Sequence, residues 1–284
     1  MNTFDTNNIQ AVAIDLDGTL LDRGILYPAV TETLKQVAAC GIHVIPATGR
    51  IRGLLPEALR AVPGLRYAVT LNGACVSDLQ NNRHIARTPL EPALMKAIAD
   101  FVAQAPIPPG AHFMTDDTVI LAPTTMVRTR ELHLRHFSPQ SVAEFEKVCT
   151  LVDSPAAYIA AHNVTVDKLV FACPTPEYAV HLREQIDRDF DVETAIMEEE
   201  NVEVTTSGIS KASGLQALAA QLDFSLDRTM AIGDSGNDVR MLEAVGYPIA
   251  MGNAPPEIQA LARQVAPPVE EMGVATILRE LFLA

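Results

Sequence analysis

Apolar and polar positions alternate in blocks along both ends of the chain. Ala11–Ile14 is an unbroken apolar run that stops at Asp-Leu-Asp-Gly-Thr, and Pro28–Cys40 follows with Val30, Leu34, Val37 and Ala38 at helical spacing before Gly41 supplies a stop. A strand around His43–Ala47, a helix through Leu55, Ala58, Leu59 and Val62, and a strand at Tyr67–Leu71 continue a βαβαβ order. The same grammar returns late, with a helix over Lys211–Leu222 (Leu215, Leu218, Ala219, Leu222) and strands at Thr229–Ile232 and Pro248–Met251. Short apolar strands that do not alternate, set between helices, predict a parallel sheet covered on both faces. The two ends therefore predict one doubly wound, Rossmann-like α/β core.

The pattern changes between them. Ala74–Thr88 reads as a hairpin, Glu91–Gln104 as a helix and Pro106–Gly110 as a break. His112–Thr115 and Val119–Ala122 read as strands around an Asp116-Asp117 turn, and Lys168–Ala172 as a strand before a helix near Pro176–Arg188. This middle predicts an inserted α+β cap domain over residues 89–200, with the core in two segments, 1–88 and 201–284.

Composition narrows the class of partner. The 284 residues suit about two domains, and 48% hydrophobic content supports real cores. Against 35 acidic residues stand 21 basic ones, a formal charge of −14 with no Lys/Arg block, so nucleic acid and anionic membranes are excluded as expected partners. The opening segment lacks the basic and apolar blocks of a signal peptide, and no apolar run is long enough to span a bilayer. Cys40, Cys75, Cys149 and Cys173 stand apart without zinc spacing, as packing residues of a reducing compartment do. The expected location is the cytoplasm.

The candidate chemistry follows the strands. Asp15-Leu-Asp17-Gly-Thr19, Thr48-Gly49-Arg50, Asn72-Gly73, Gly233-Asp234-Ser-Gly-Asn237-Asp238 and Gly252-Asn253 each begin where a predicted strand ends, and ligands of open parallel sheets bind beyond those carboxyl ends. Asp15, Asp17, Asp234 and Asp238 would bring four carboxylates to one rim, which calls for a cation. Mg2+ suits an all-oxygen set, whereas zinc would want Cys and His. The Thr48 hydroxyl, the Gly18 and Gly49 backbone, Asn237 and Lys211 could donate to a transferring phosphoryl group. An aspartate is then a competent nucleophile and a second acid can protonate the leaving group, roles that Asp15 and Asp17 divide. Other features read more plainly: His133 and His136 as a solvated helix face, Glu198–Glu200 as a solvated charge cluster, and Asp22 as a loop residue. Arg50 could bind phosphate or brace the carboxylate loop.

At these residues the chain resembles the haloacid dehalogenase (HAD) superfamily of phosphatases, in its Cof-like branch. Asp15-Leu-Asp17-Gly-Thr19-Leu-Leu resembles the first motif, Thr48-Gly49-Arg50 the second, Lys211 in Gly208-Ile-Ser-Lys the third and Gly233-Asp234-Ser-Gly-Asn237-Asp238 the fourth, with Asn72-Gly73-Ala74 and Met251-Gly-Asn-Ala254 added. The resemblance implies Asp15 as nucleophile and metal ligand, Asp17 as general acid/base and a ligand through its backbone carbonyl, and Asp234 as the remaining metal carboxylate. It further implies that Asp238 supports the metal's water shell, that Thr48, Gly49, Lys211 and Asn237 hold phosphate, and that the insert is a large α/β cap. The tail Ala266-Pro-Pro-Val-Glu-Glu-Met-Gly273 departs from the branch, which often carries Asn/Asp-containing residues there. The expected activity is Mg2+-dependent hydrolysis of a small phosphorylated metabolite, a sugar phosphate or phosphorylated cofactor, through an aspartyl-phosphate. A phosphotransferase or phosphomutase of the same fold, or a non-catalytic phosphometabolite-binding module, is the alternative. Substrate, oligomeric state and the cap residues that set specificity are not legible at this level.

Overall fold

The computed structural model describes residues 8–197 and 199–283; the opening segment read above for targeting signals and Glu198 of the acidic run lie outside the described residues. In chain order the strands are β1 (Ala11–Ile14), β2 (His43–Pro46), β3 (Tyr67–Thr70), β4 (Cys75–Asp78), β5 (Arg83–Arg87), β6 (Gly110–Met114), β7 (Val119–Leu121), β8 (Cys149–Leu151), β9 (Lys168–Ala172), β10 (Val192–Met197), β11 (Asn201–Thr206), β12 (Thr229–Gly233), β13 (Tyr247–Met251) and β14 (Gln264–Ala266). They divide between two compact units. One takes the chain up to Arg50, Leu55–Ala86 and Ser210 onward; the other takes Ile51–Leu54 and Arg87–Ile209.

The first unit is built on a parallel sheet of order β14-β13-β12-β1-β2. Its strands are apolar throughout because both faces are covered. Val12 and Ile14 of β1, with Val44, Ile232 and Ile249, pack against helices Pro28–Ala39 and Gly273–Phe282 through Leu34, Val37 and Ile277. The other face is narrower, with Ala11, Ala13, Ala231 and Ala250 meeting Leu215 and Leu218 of helix Lys211–Leu222. Alanines there let that helix lie close to the sheet. β3, β4 and β5 form a separate small sheet, joined to the loop after β2 by the Ala47–Val69 bridge.

The second unit has a six-stranded sheet of order β10-β11-β9-β6-β7-β8, antiparallel in every described pairing except β7–β8. One face carries Phe113, Leu169, Phe171, Val202 and Val204 and buries them against Ile98 and Val102 of helix Pro92–Ala103 and Leu182 and Ile186 of helix Pro176–Asp189. The alternate residues His112, Lys168, Val170 and Glu203 share the opposite face. There the His112 ring meets the Thr129 hydroxyl of helix Pro123–His136 at 2.6 Å. The helices of both units begin repeatedly on proline, as at Pro28, Pro92, Pro123 and Pro176, because the first helical position needs no N–H and suits a fixed φ.

The chain's last crossing between units lies at Ile209–Ser210, some ten residues beyond the expected border at 200. Glu193 and Thr194 interrupt β10, so the strand lacks the continuous apolar run that marks the core, and the β10–β11 ladder runs from Val192↔Thr206 to Met197↔Asn201. A border at residue 200 would cut that ladder at its turn. Among the described residues no helix is long and apolar enough to cross a membrane.

Candidate active site

β1 carries Asp15 just past its last paired residue. The Asp15 N–H still donates to Ile232 O at 2.9 Å, which aims the side chain inward, and the residue is only 4% exposed. The chain then turns sharply, with Gly18 N–H on Leu21 O at 3.0 Å and Thr19 N–H on Leu16 O at 3.2 Å. Gly18 has φ +80°, and a Cβ there would overlap Asp234 Oδ2, so glycine answers both a backbone and a space requirement. Thr19 Oγ1 donates to Asp234 Oδ1 at 3.2 Å.

Lys211 opens its helix directly after a Ser210 cap whose side chain accepts from Ser213 N–H at 3.2 Å, within a full capping box. The ammonium is wholly buried and donates to Asp15 Oδ1 at 2.5 Å and Asp238 Oδ1 at 2.7 Å. The second Asp238 oxygen accepts from the N–H groups of Asp234 and Ser235 at 3.0 and 3.1 Å, a turn-and-cap geometry that keeps a buried carboxylate satisfied.

Asp15, Asp234 and Asp238 offer oxygens within 4.8 Å of one another. Burial drives the Asp15 carboxyl well above the usual range; Lys211 opposes this, and the neighbouring Asp238 and Asp234 add to it. Asp234 is pushed up to about 7, first by burial and then by Asp238. Burial works against the Lys211 charge, but Asp15 and Asp238 overcome it and raise its pKa. Three carboxylates thus face one ammonium, and the group is short of positive charge. The donor set is all oxygen and fits a hard divalent cation such as Mg2+.

The other predicted residues fall into two further groups. Asp17 does not join the three carboxylates. Arg50 grips it with Nε and Nη2 at 2.7 and 2.6 Å, a bidentate brace on the carboxylate loop. Thr48 is buried, its N–H on Val69 O at 2.9 Å and its hydroxyl accepting from Arg50 N–H at 3.1 Å, with Gly49 between them in the same loop. Asn237 takes a hydrogen bond from Ser235 Oγ at 2.9 Å and donates to Asn72 Oδ1 at 3.2 Å.

Asn72 sits in a run of three left-handed residues, Leu71, Asn72 and Gly73, at φ 51°, 56° and 103°. Such a run costs on the order of 1–3 kcal/mol at a non-glycine position. Hydrogen bonds from Leu71 N–H to Arg50 O and Asn72 N–H to Thr48 O, both 3.0 Å, hold it. A Cβ on Gly73 would overlap the Ser210 carbonyl, so this turn lies directly against the start of the Lys211 helix. Thr19, Asn72 and Asn253 received no role from sequence. Their only signal was their place directly after strands, since each acts through a partner far along the chain.

An acidic rim at the carboxyl ends of a doubly wound parallel sheet, with an α+β unit inserted in the chain, is the architecture of the HAD phosphatases. The chain belongs to the haloacid dehalogenase-like hydrolase family, whose model matches residues 12–278, and it is an enzyme of that superfamily's phosphatase class. It is similar to the HMP-PP phosphatase of Yersinia pseudotuberculosis, with 29% identity over 94% of this chain and 93% of the relative. It is also similar to the pyridoxal phosphate phosphatase YbhA of Escherichia coli K12, with 24% identity over 90% of this chain and 92% of the relative. A solved HAD subclass IIB sugar phosphatase shares the fold, with TM-score 0.79 and 22% identity over 97% of this chain and 100% of the other.

Proposed function

We propose that the protein is a Mg2+-dependent phosphomonoesterase that acts on a small phosphorylated metabolite with Asp15 as nucleophile. The observation that carries this reading is the buried Lys211 ammonium set between Asp15 and Asp238, with Asp234 beside them and too little positive charge for three carboxylates. Asp15 and Asp234, with the Asp17 backbone carbonyl, would hold the ion, and Asp238 would support its water shell. Bound there, Mg2+ would supply the charge that lets a phosphate dianion approach these acids.

An Asp15 oxygen attacks phosphorus, the ester P–O bond breaks, and Asp17 gives its proton to the leaving oxygen. Lys211, Thr48, the Gly49 backbone and Asn237 hold the phosphoryl oxygens. Asp17, now a carboxylate, takes a proton from water as that water attacks phosphorus and breaks the bond to Asp15, releasing inorganic phosphate. Arg50 grips Asp17 in this carboxylate form; donation in the first half requires Asp17 to gain a proton and loosen that grip.

A small metabolite suits a surface of charge −14 better than a polyanion does, and the printed substrates of the relatives, pyridoxal phosphate and HMP-PP, are of that kind. The inserted unit is proposed as the cap that selects among them. The test is turnover of a panel of phosphorylated metabolites with Mg2+ and with excess chelator, together with rapid quench and peptide mass analysis. Chelator-sensitive turnover and a phosphoryl adduct on the Asp15 peptide are expected. Full turnover in chelator with metal content checked, or an adduct elsewhere, overturns the reading.

A further inference from the structure

The side chain of Asn253 ties together three loops that the proposed chemistry leaves separate. Its Nδ2 donates to Gly18 O at 2.9 Å and to Asp234 Oδ2 at 3.2 Å, and its Oδ1 accepts from Val269 N–H at 2.9 Å. The partners settle which way the amide points. Both contacts on the nitrogen side are pure acceptors, and the contact on the oxygen side is a backbone donor, so a flipped amide would oppose all three.

Asp234 is consequently fixed through both of its oxygens, Oδ1 by the Thr19 hydroxyl and Oδ2 by Asn253. The same amide anchors the Gly18 carbonyl, one residue beyond Asp17 in the turn that carries both predicted Asp ligands. Resting on the metal-dependent reading above, we infer that Asn253 is a positioning residue for the cation site. It sets the rotamer of the Asp234 carboxylate and locks the Asp15–Thr19 turn to the Gly233–Asp238 loop, so that the oxygens meet a small octahedral ion already in place. Mg2+ is the cation for which this matters most, because it demands near-ideal geometry where Ca2+ tolerates looser arrangements. Residues that hold a metal's carboxylates by hydrogen bonds typically change affinity by about 10–100-fold when removed.

The third partner explains the tail. Pro267-Pro268-Val269-Glu270 departs in side chains from the pattern expected there, yet what reaches Asn253 is the Val269 backbone N–H. A loop that contributes a main-chain donor can change its side chains and keep its role. The turn just after it is held by Glu271 N–H and Met272 N–H on Pro268 O and Val269 O at 3.0 and 2.9 Å, which keeps that donor aimed.

The experiment measures Mn2+ binding to the full-length protein by electron paramagnetic resonance, with Mg2+ in competition, for the unaltered protein, Asn253→Ala and Asn253→Leu. Melting temperatures and the kinetics of an aryl phosphate at rising Mg2+ are recorded alongside. The expected result is a 10–100-fold loss of metal affinity in both variants by the estimate above, with substrate KM at saturating Mg2+ unchanged and kcat recovered as Mg2+ rises. A merely structural asparagine would lower the melting temperature and give no recovery with metal. Metal affinity within about twofold of the unaltered protein in both variants overturns the inference and leaves the phosphatase reading standing. Failure of the unaltered protein to bind Mn2+ overturns both. Should Asn253→Ala and Asn253→Leu fold poorly, Thr19→Val, which frees the other Asp234 oxygen, carries the same comparison: unchanged metal affinity there would show that bracing of Asp234 does not govern binding.

Discussion

The inserted unit and the acidic rim of the sheet core bury charge differently. In the inserted unit the buried acids each meet a base: Asp167 takes Arg87 at 2.8 Å, Glu203 takes the buried Lys168 ammonium, and Asp116 takes Arg52 at 3.5 Å, an arginine that also pairs with Asp117. At the rim of the sheet core the Lys211 ammonium meets Asp15 and Asp238 with Asp234 beside them, whereas the buried Asp78 elsewhere in that unit has Arg66 at 2.8 Å and Arg83 at 3.8 Å. Matched buried pairs are consistent with a structural role, since little further is needed to satisfy them. An unmatched group persists only where something else supplies the missing charge, and that separates the site from the scaffold more sharply than burial or the mere presence of carboxylates.

The strongest test of this contrast removes Asp15, the proposed nucleophile. Asp15→Asn should cut turnover roughly 10^4-fold or more and leave no phosphoryl adduct by rapid quench. Undiminished turnover would falsify the assignment of the nucleophile. Asp17→Asn should fail differently, losing on the order of 10^2–10^4-fold in steady-state rate while an aryl phosphate, whose leaving group needs little protonation, still gives a burst of phenolate and a trapped adduct on the Asp15 peptide. A burst of the same size with the adduct on another residue would move the chemistry away from β1.

On the matched side the consequence is stability rather than chemistry. Lys168→Met removes the ammonium bonded to Glu203 and should cost about 3–5 kcal/mol in denaturant unfolding, and adding Glu203→Leu should restore most of it. The pair is buried, with side-chain exposures of 1% and 11%, so little solvent screening reduces the effect. Failure of the double variant to recover stability would give Lys168 a role beyond pairing.

The smallest expected effect is a pH trend in metal-free protein. In the folded protein burial and then Asp238 push the Asp234 carboxyl up from 3.8 to about 7, and burial raises Asp15 in the same direction. A raised folded value means that the folded state holds the extra proton. This contribution to stability is complete below the free value and fades as pH rises through about 7. In chelator the melting temperature should therefore fall between pH 5 and 8 more than it does with Mg2+ present, and parallel curves would deny the charge deficit.

Much of the core was legible because its rules are local. β1, β3 and helix Lys211–Leu222 announce themselves by short apolar runs, helical spacing and caps, and the rim residues follow from where those strands stop. β10 and β11 were hidden by the charges and hydroxyls on one of their faces, Glu193, Glu203 and Thr205, which break the apolar run, so the border fell at the hairpin turn and not after it. The exclusion of Asp17 from the carboxylate group could not be read because it depends on Arg50, 33 residues away. The expected rim of four carboxylates put Asp15 and Asp17 together, but β1 ends at Ile14 and the Gly18 turn redirects the second carboxylate.

The order of strands in the core sheet also sets an order in time. β1 lies between β2, which follows it closely, and β12, whose partner residues begin at Thr229. The lysine bonded to Asp15 is 196 residues further on. A ribosome delivers Asp15 first and Lys211, Asp234 and Asp238 only after every strand of the inserted unit, which is one contiguous stretch apart from Ile51–Leu54 and can close on its own contacts meanwhile. The proposed nucleophile therefore waits, unassembled, for most of synthesis. No truncated or stalled product ending before β12 can carry the site, so the proposed activity is confined to chains that have been read almost to their end.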